Sequence, residues 1–371
     1  MNILQICSDY YNTKLYQNLF SELSNNVNNT ICVPVELSKE RKNEKHGKDK
    51  ILSLPCFEKK DRINFFKKNN KIFSAIKRDI KIEEFDIVHA HTLFTTGYIA
   101  YKIKKEFNIP YVVAIRNTDI NIFLKYKFWL RTLAREIINN AEKIIFISPK
   151  YKESVISKYI KINNRQLICE KSIVIPNGVD KFWLNNKSVK NNNFESKKII
   201  FTQVGRLDKN KNHKYSIKLI KALKTLGYDA YLNIIGEGPL VKKIEEYEKK
   251  YSFIKYYGSL DKEDILKVYN KTDIFIMPSK KETFGLVYIE AMSQGIPVLY
   301  SQGQGIDGYF KINEIGNSIT EDIFEDIKKI KYILKNYNII SKNCFEKVNC
   351  FNWDIIAKKY LNIYCEIEEK K

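Results

Sequence analysis

Four ionisable side chains in the second half of the chain stand at spacings suited to handling a diphosphate. Arg206 and Lys211 lie in Val204-Gly-Arg-Leu-Asp-Lys-Asn-Lys-Asn-His213, directly after an apolar run. Glu282 and Glu290 lie in Pro278-Ser-Lys-Lys-Glu-Thr-Phe-Gly-Leu-Val-Tyr-Ile-Glu-Ala-Met292, after another. Two cations in a strand-to-helix turn, with Gly205 permitting a tight bend, can neutralise a diphosphate leaving group without a metal ion. A helix beginning near Gly285 offers free N–H groups and the positive end of its dipole to a phosphate, and a glycine there lets that phosphate approach the backbone. Glu282, on the loop, can accept hydrogen bonds from sugar hydroxyls. Glu290, more than one turn into the helix, can do the same for a ribose. The residues around Glu290 (Leu286, Val287, Ile289, Ala291, Met292) make the helix nearly apolar, and an ordinary solvated face would carry more charge.

These residues need parallel α/β units to position them, because open α/β sheets bind ligands at the carboxyl ends of their strands. Short apolar runs alternating with helical patterns supply such units. In the first half, strands are expected at Ile3–Cys7, Ile31–Val35, Ile87–Ala90, Tyr111–Ile115, Lys143–Ile147 and Ser172–Ile175. Helices are expected between them, among them Leu15–Leu23, Gly97–Phe107 and Phe128–Asn140. The stretch Lys39–Lys50 contains no apolar residue and is expected as a loop. The Asn-rich segment 185–198 reads as a surface loop or linker near a domain boundary. A second set of strands follows at Ile199–Val204, Ala230–Ile235, Phe253–Tyr257, Ile274–Met277 and Pro297–Tyr300. A final helix is expected over Trp353–Glu366. The length of 371 residues suits two domains. They are expected at 1–178, with a returning helix in 351–371, and at 179–350.

The segment from Pro278 to Met292, with Gly295-Ile-Pro-Val298 beyond it, resembles the E-x7-E signature of glycosyltransferase family 4, the retaining, group 1 type glycosyltransferases of GT-B fold. Gly205-Arg206 and Lys211, Pro176-Asn-Gly-Val-Asp180, Ile234-Ile-Gly-Glu-Gly-Pro239 and Tyr257-Gly-Ser-Leu260 resemble further elements of the same family. The resemblance implies an α/β fold of two Rossmann-like domains facing across a cleft, with the C-terminal helix crossing back to the first domain. It implies that the first domain binds the acceptor and the second the nucleotide-sugar. Glu282, Arg206 and Lys211 take catalytic roles by this resemblance. Phe284, Gly285, Leu286, Glu290, Gly236, Gly258 and Leu260 take donor-binding ones. It further implies hexosyl transfer with retention and the leaving phosphate taking the acceptor proton. The donor is then a co-substrate and no cofactor or metal is required. The expected setting is bacterial surface polysaccharide synthesis on a glycan or lipid-linked acceptor.

The first half departs from the family. Ser8-Asp-Tyr-Tyr-Asn-Thr-Lys14 stands where many members carry a glycine-rich loop. Arg116 stands where many carry a histidine. Arg cannot act as acid or base but can bind a sugar or an acceptor phosphate. Arg116, Asn117 and Asp119 are therefore expected to line the acceptor side, with His91 of His89-Ala-His91. The two histidines lack an evident third ligand, and the chain contains no Asp-x-Asp, so a metal clamp is not expected.

The net charge is +21, with Lys+Arg 64 against Asp+Glu 43, and the greater share of the excess falls in residues 1–178. This balance fits anionic substrates, an anionic membrane surface or nucleic acid. No nucleic-acid-binding module is evident, and that reading ranks below a nucleotide-sugar epimerase of GT-B-like fold, itself second to a transferase. Phe123–Arg135 interleaves aromatic with basic residues and reads as a face for an anionic membrane or a core helix with solvated cations. Seven cysteines without a CxxC pair fit free thiols in a reducing cytoplasm. The first residues show no signal peptide pattern, and no uncharged run spans a membrane. A cytoplasmic protein, with peripheral attachment at the inner face of the membrane, is expected.

Overall fold

The computed structural model describes residues 1–192 and 198–370. Residues 193–197, within the Asn-rich segment, lie outside the described residues. The chain divides into two units, Met1–Gly178 with Trp353–Lys371, and Val179–Asn352.

The first unit holds one sheet of eight strands: β1 (Asn2–Ile6), β2 (Asn28–Glu36), β3 (Asn43–His46), β4 (Asp49–Phe57), β5 (Ile87–Ala90), β6 (Tyr111–Ile115), β7 (Lys143–Phe146) and β8 (Ser172–Val174). Their order is β3-β4-β2-β1-β5-β6-β7-β8. Every pairing is parallel except β3 with β4. All residues of β5 and β6 are buried, as expected of central strands covered on both faces.

The expected loop at Lys39–Lys50 is instead mostly a hairpin. β3 pairs antiparallel with β4 from Asn43↔Leu52 to His46↔Asp49, and the turn residue Gly47 has φ 60. An edge strand bonds on one side only and keeps its charges in water, so it carries no apolar signature. Its partner β4 is legible only afterwards, through Ile51, Leu52 and Leu54, which are buried.

The helix Trp353–Glu368 closes this unit. Trp353, Ile356, Tyr360, Ile363, Tyr364 and Ile367 recur at three- and four-residue intervals, and they enter the core formed by Ile3, Leu19, Leu23 and Ile31. A buried polar chain ties the helix to the sheet. His89 Nδ1 lies 2.6 Å from the Tyr364 hydroxyl, and Gln5 donates to that hydroxyl at 3.3 Å and to Asn29 at 2.9 Å. Gln5 Oε1 lies 2.9 Å from His91 Nε2.

The second unit holds β9 (Lys198–Val204), β10 (Asp229–Ile235), β11 (Ile254–Tyr256), β12 (Ile274–Met277), β13 (Val298–Ser301) and β14 (Gly316–Ile319). They form one parallel sheet in the order β11-β10-β9-β12-β13-β14. The direction of strand addition reverses between β9 and β12, which opens the ligand crevice of a doubly wound sheet at their carboxyl ends. The edge strand β14 was not among those expected, because Gly-Asn-Ser-Ile offers too few apolar residues to signal one.

Candidate functional site

The loops leaving β9 and β12 flank the reversal in strand order, and they carry Arg206, Lys211 and Glu282. Asp208 shapes the first loop. Its Oδ1 accepts from the backbone N–H of Asn210 at 2.9 Å and of Lys211 at 3.2 Å, an Asx-type turn. Asn210 fastens this loop to the second. Its carbonyl accepts from Lys280 N at 2.8 Å, its Oδ1 accepts from Lys281 N at 3.0 Å, and its Nδ2 donates to the Lys281 carbonyl at 2.9 Å.

Lys211 Nζ then reaches Glu282 Oε2 at 2.6 Å, with both side chains largely shielded from water. The other oxygen of Glu282 accepts from Thr283 N at 3.2 Å. Arg206 stands apart from this pair. Its side chain is 74% exposed, and its Nε is 3.8 Å from Asp208. One cation is therefore seated beside the loop carboxylate, and a second projects into solvent from the same turn.

Gly285 precedes the helix Leu286–Ser293 with φ 82. A Cβ there would fall 2.5 Å from the Tyr288 ring, so only glycine keeps this helix start open. The ring of Phe284, expected among the donor-binding residues, is buried against Tyr309 and Phe351 at 5.6 and 5.5 Å.

Glu290 lies one turn further along, half-buried. Desolvation pushes its carboxyl up to about 7, against the opposing pull of Lys262. At neutral pH it can donate as well as accept a hydrogen bond.

Gly236 and Gly258 belong to the same set of strand ends. Gly236 N donates to the Gly258 carbonyl at 2.7 Å, and Gly205 N donates to the Ile235 carbonyl at 3.0 Å. A Cβ on Gly236, whose φ is 135, would lie 2.0 Å from the Gly205 carbonyl oxygen. The turn bearing Arg206 therefore rests directly on the backbone of the neighbouring turn. Leu260 is half-buried beyond Gly258.

A further loop was missed. Glu282 N donates to Gln304 Oε1 at 3.1 Å, and Gly305 N donates to the Glu282 carbonyl at 2.9 Å. Gln302-Gly-Gln-Gly305 follows β13 and holds the Glu282 loop through these two bonds. Its signal was present in two glycines placed directly after an apolar strand.

In the first unit, the four residues assigned to the acceptor side differ in exposure. Arg116 packs its guanidinium 5.9 Å from the Tyr16 ring and donates to Asn177 at 3.3 Å, while its Nε is buried without a hydrogen-bond partner. Asn117 is exposed and accepts from Asn121.

Asp119 is 2% exposed. Its two oxygens accept from the N–H groups of Leu93, Phe94 and Arg116 at 3.0, 3.3 and 2.9 Å. Burial pushes its carboxyl up to about 6, opposed by those N–H groups. Asp119 thus fixes the loop after β5 and does not stand open.

His91 is 1% exposed and stacks on His89 at 4.1 Å. Desolvation lowers His89 to about 3 and His91 well below its ordinary value. Both are neutral core residues, so His91 serves the polar chain within this unit. Among the described residues, no group of three His, Cys, Asp or Glu side chains is arranged to hold a metal ion.

Comparison with known proteins gives this geometry a context. Residues 185–347 match the family described as "Glycosyl transferases group 1", and residues 25–181 match "Glycosyltransferase Family 4". The chain is 29% identical over 332 residues to an Escherichia coli UDP-Gal:alpha-D-GlcNAc-diphosphoundecaprenol alpha-1,3-galactosyltransferase, covering 82% of this chain and 81% of that one.

Two solved structures share the fold along the chain. Sucrose-phosphate synthase from Thermosynechococcus elongatus aligns with TM-score 0.74 at 17% identity, covering 100% of both chains. The Anabaena protein HepE in complex with UDP aligns with TM-score 0.69 at 14% identity, covering 99% of this chain and 100% of that one. The two parallel-sheet α/β units are those of the GT-B class expected above.

Proposed function

Because this chain belongs to the group 1 glycosyltransferases, we propose that it moves a sugar from a nucleotide-diphosphate donor to a glycan or lipid-linked acceptor, with retention of configuration and without a metal ion. The observation that carries this reading is the 2.6 Å Lys211–Glu282 pair beside the reversal in strand order, with the exposed Arg206 on the same turn and the helix start at Gly285 after the second loop.

When the bond from the anomeric carbon to the diphosphate oxygen breaks, negative charge develops on the departing phosphate. Arg206, Lys211 and the N–H groups at the start of the helix Leu286–Ser293 stabilise that charge. The acceptor hydroxyl attacks from the face the diphosphate leaves, and its proton passes to the leaving phosphate oxygen. Glu282, held by Lys211 and Gln304, accepts hydrogen bonds from sugar hydroxyls. Glu290 engages the ribose.

HepE was solved with UDP, which favours a uridine nucleotide as donor. The name of the Escherichia coli relative includes a diphosphoundecaprenol-linked sugar, which favours a lipid-diphosphate acceptor in surface polysaccharide synthesis. Arg116, whose guanidinium lies over the Tyr16 ring and donates to Asn177, supplies a cation that suits the phosphate of such an acceptor. No helix among the described residues is long and apolar enough to cross a membrane; peripheral attachment at the cytoplasmic face is part of this reading.

A thermal-shift panel of nucleotide-sugars in the presence of EDTA tests the donor, since a ligand that binds only the folded state raises its stability. Proton NMR of the product then reads the anomeric configuration. No shift with any nucleotide-sugar, or an inverted product, contradicts the proposal.

A further inference from the structure

Most apolar side chains of the first unit are buried, and the exposed ones lie scattered except in one short segment that gathers four of them. Ile122, Tyr126, Phe128 and Trp129 are 49%, 59%, 68% and 61% exposed. They fall within eight residues, and the chain there is firmly seated. Ile120, Leu124 and Leu130 are buried at 8% exposure or less. Arg131 Nε donates to the Leu124 carbonyl at 2.8 Å. Phe123 stacks on Phe94 at 4.7 Å. The apolar tips are thus held outward by a fixed backbone.

The charge of this segment has one sign. Residues 120–135 contain Lys125, Lys127, Arg131 and Arg135 and no carboxylate. Lys127 lies over the Phe123 ring at 4.6 Å and Lys125 over the Tyr126 ring at 5.3 Å. The ammonium groups therefore sit at the level of the aromatic rings. A soluble partner with an acidic surface would suit the lysines but would leave the adjacent indole and phenyl groups to find apolar pockets. An anionic bilayer satisfies both at once. Its acyl boundary takes the aromatic tips and its headgroups take the cations.

We propose that Ile122, Tyr126, Phe128 and Trp129, with Lys125 and Lys127, form a docking surface for an anionic phospholipid bilayer. This deepens the peripheral attachment in the function proposed above by naming the surface that makes it. It rests on that reading only for its biological purpose, because docking requires neither donor nor acceptor.

The chain carries its own probe. Of its three tryptophans, Trp183 and Trp353 are buried at 1% and 4% exposure, and Trp129 is exposed. Flotation of the full chain, together with its tryptophan emission, is measured with vesicles of phosphatidylcholine alone and with added phosphatidylglycerol. The expected result is flotation and a blue shift with the anionic vesicles only.

Lys125→Glu with Lys127→Glu should lower partitioning about tenfold or more. Phe128→Ser with Trp129→Ser should abolish it. Phe324→Ser, at a still more exposed aromatic of the second unit, should leave it unchanged. UDP thermal shift on each variant reports folding and donor binding separately, so loss of docking is distinguishable from failure of the transferase reading. Equal recovery with and without anionic lipid overturns the proposal. So does a patch variant that floats like the parent, or a concentration-dependent self-association removed by the Phe128/Trp129 change in the absence of vesicle binding.

Discussion

Lys211 and Glu282 lie on loops that leave β9 and β12, the two strands at which the sheet order reverses, and their side chains meet at 2.6 Å. The pair places a cation at the mouth of the crevice before any ligand arrives. Its carboxylate is also held by Thr283 N, while Gln304 receives the backbone N–H of Glu282. A bound diphosphate would therefore meet an ammonium already in place, and little reorganisation is needed at the moment of reaction.

Removing Arg206 tests the more exposed cation. Arg206→Ala lies outside the core and leaves Tm within about a degree of the parent, as surface changes usually do. Transfer rate should fall on the order of 100-fold or more, the scale seen when one preorganised charge-stabilising group is lost. Steady-state kinetics with a saturating acceptor checks this, and an unchanged kcat counts against the role.

Glu290 gives a pH signature. Its carboxyl is raised to about 7 by burial, so the folded state holds a proton that the unfolded state releases in the usual carboxylate range. Its contribution to stability is thus largest at low pH and declines as pH rises from that range through about 7. Glu290→Gln removes the decline. The Tm difference between variant and parent should grow in the variant's favour between pH 5 and pH 8 (roughly the interval set by those two pKa values). A difference that stays flat with pH would falsify the assignment of a half-buried, protonatable carboxyl.

The histidines act in the opposite sense. His89 is lowered to about 3 by desolvation, so the unfolded state takes up its proton first as pH falls. Stability is complete above the ordinary histidine range and is lost as pH drops toward the folded value. His89→Gln should flatten that acid limb. Tyr364→Phe removes the hydroxyl 2.6 Å from His89 Nδ1 and should cost about 1–3 kcal/mol, the penalty of a buried polar group left unpaired. Acid and urea titrations followed by far-UV circular dichroism read both effects.

Gly236→Ala probes the backbone contact beneath Arg206. The added Cβ would sit 2.0 Å from the Gly205 carbonyl oxygen at a φ of 135, so one turn must move. A loss of roughly 2 kcal/mol or more is expected, with donor affinity reduced alongside. Parent-like Tm and affinity would show that the two turns do not support one another.

Much of this arrangement is legible in residue types, and the exceptions share a cause. β5, β6 and β12 have the expected limits because buried parallel strands are uninterrupted apolar runs. The loops bearing Arg206 and Glu282 are legible because each follows such a run. β3 and β14 escape notice as edge strands with little apolar content. Asp119 and His91 read as open polar groups, since one-dimensional spacing does not show that backbone N–H groups would bind Asp119, and Gln5 one nitrogen of His91, in the core. The packing of Phe284 is hidden for the converse reason. It follows Glu282 closely in sequence, but its ring turns inward to Tyr309 and Phe351. The role of Gln304 depends on a contact between loops 22 residues apart, which periodicity cannot reveal.

Calorimetric titration of UDP in EDTA, comparing the parent chain with Lys211→Ala, reads whether this ammonium grips the diphosphate without a metal ion. Measurable binding to the parent is expected without divalent metal, with a loss of about 100-fold in the variant at unchanged fold. Equal affinity in the two proteins, or binding by the parent only after a divalent cation is restored, would contradict it.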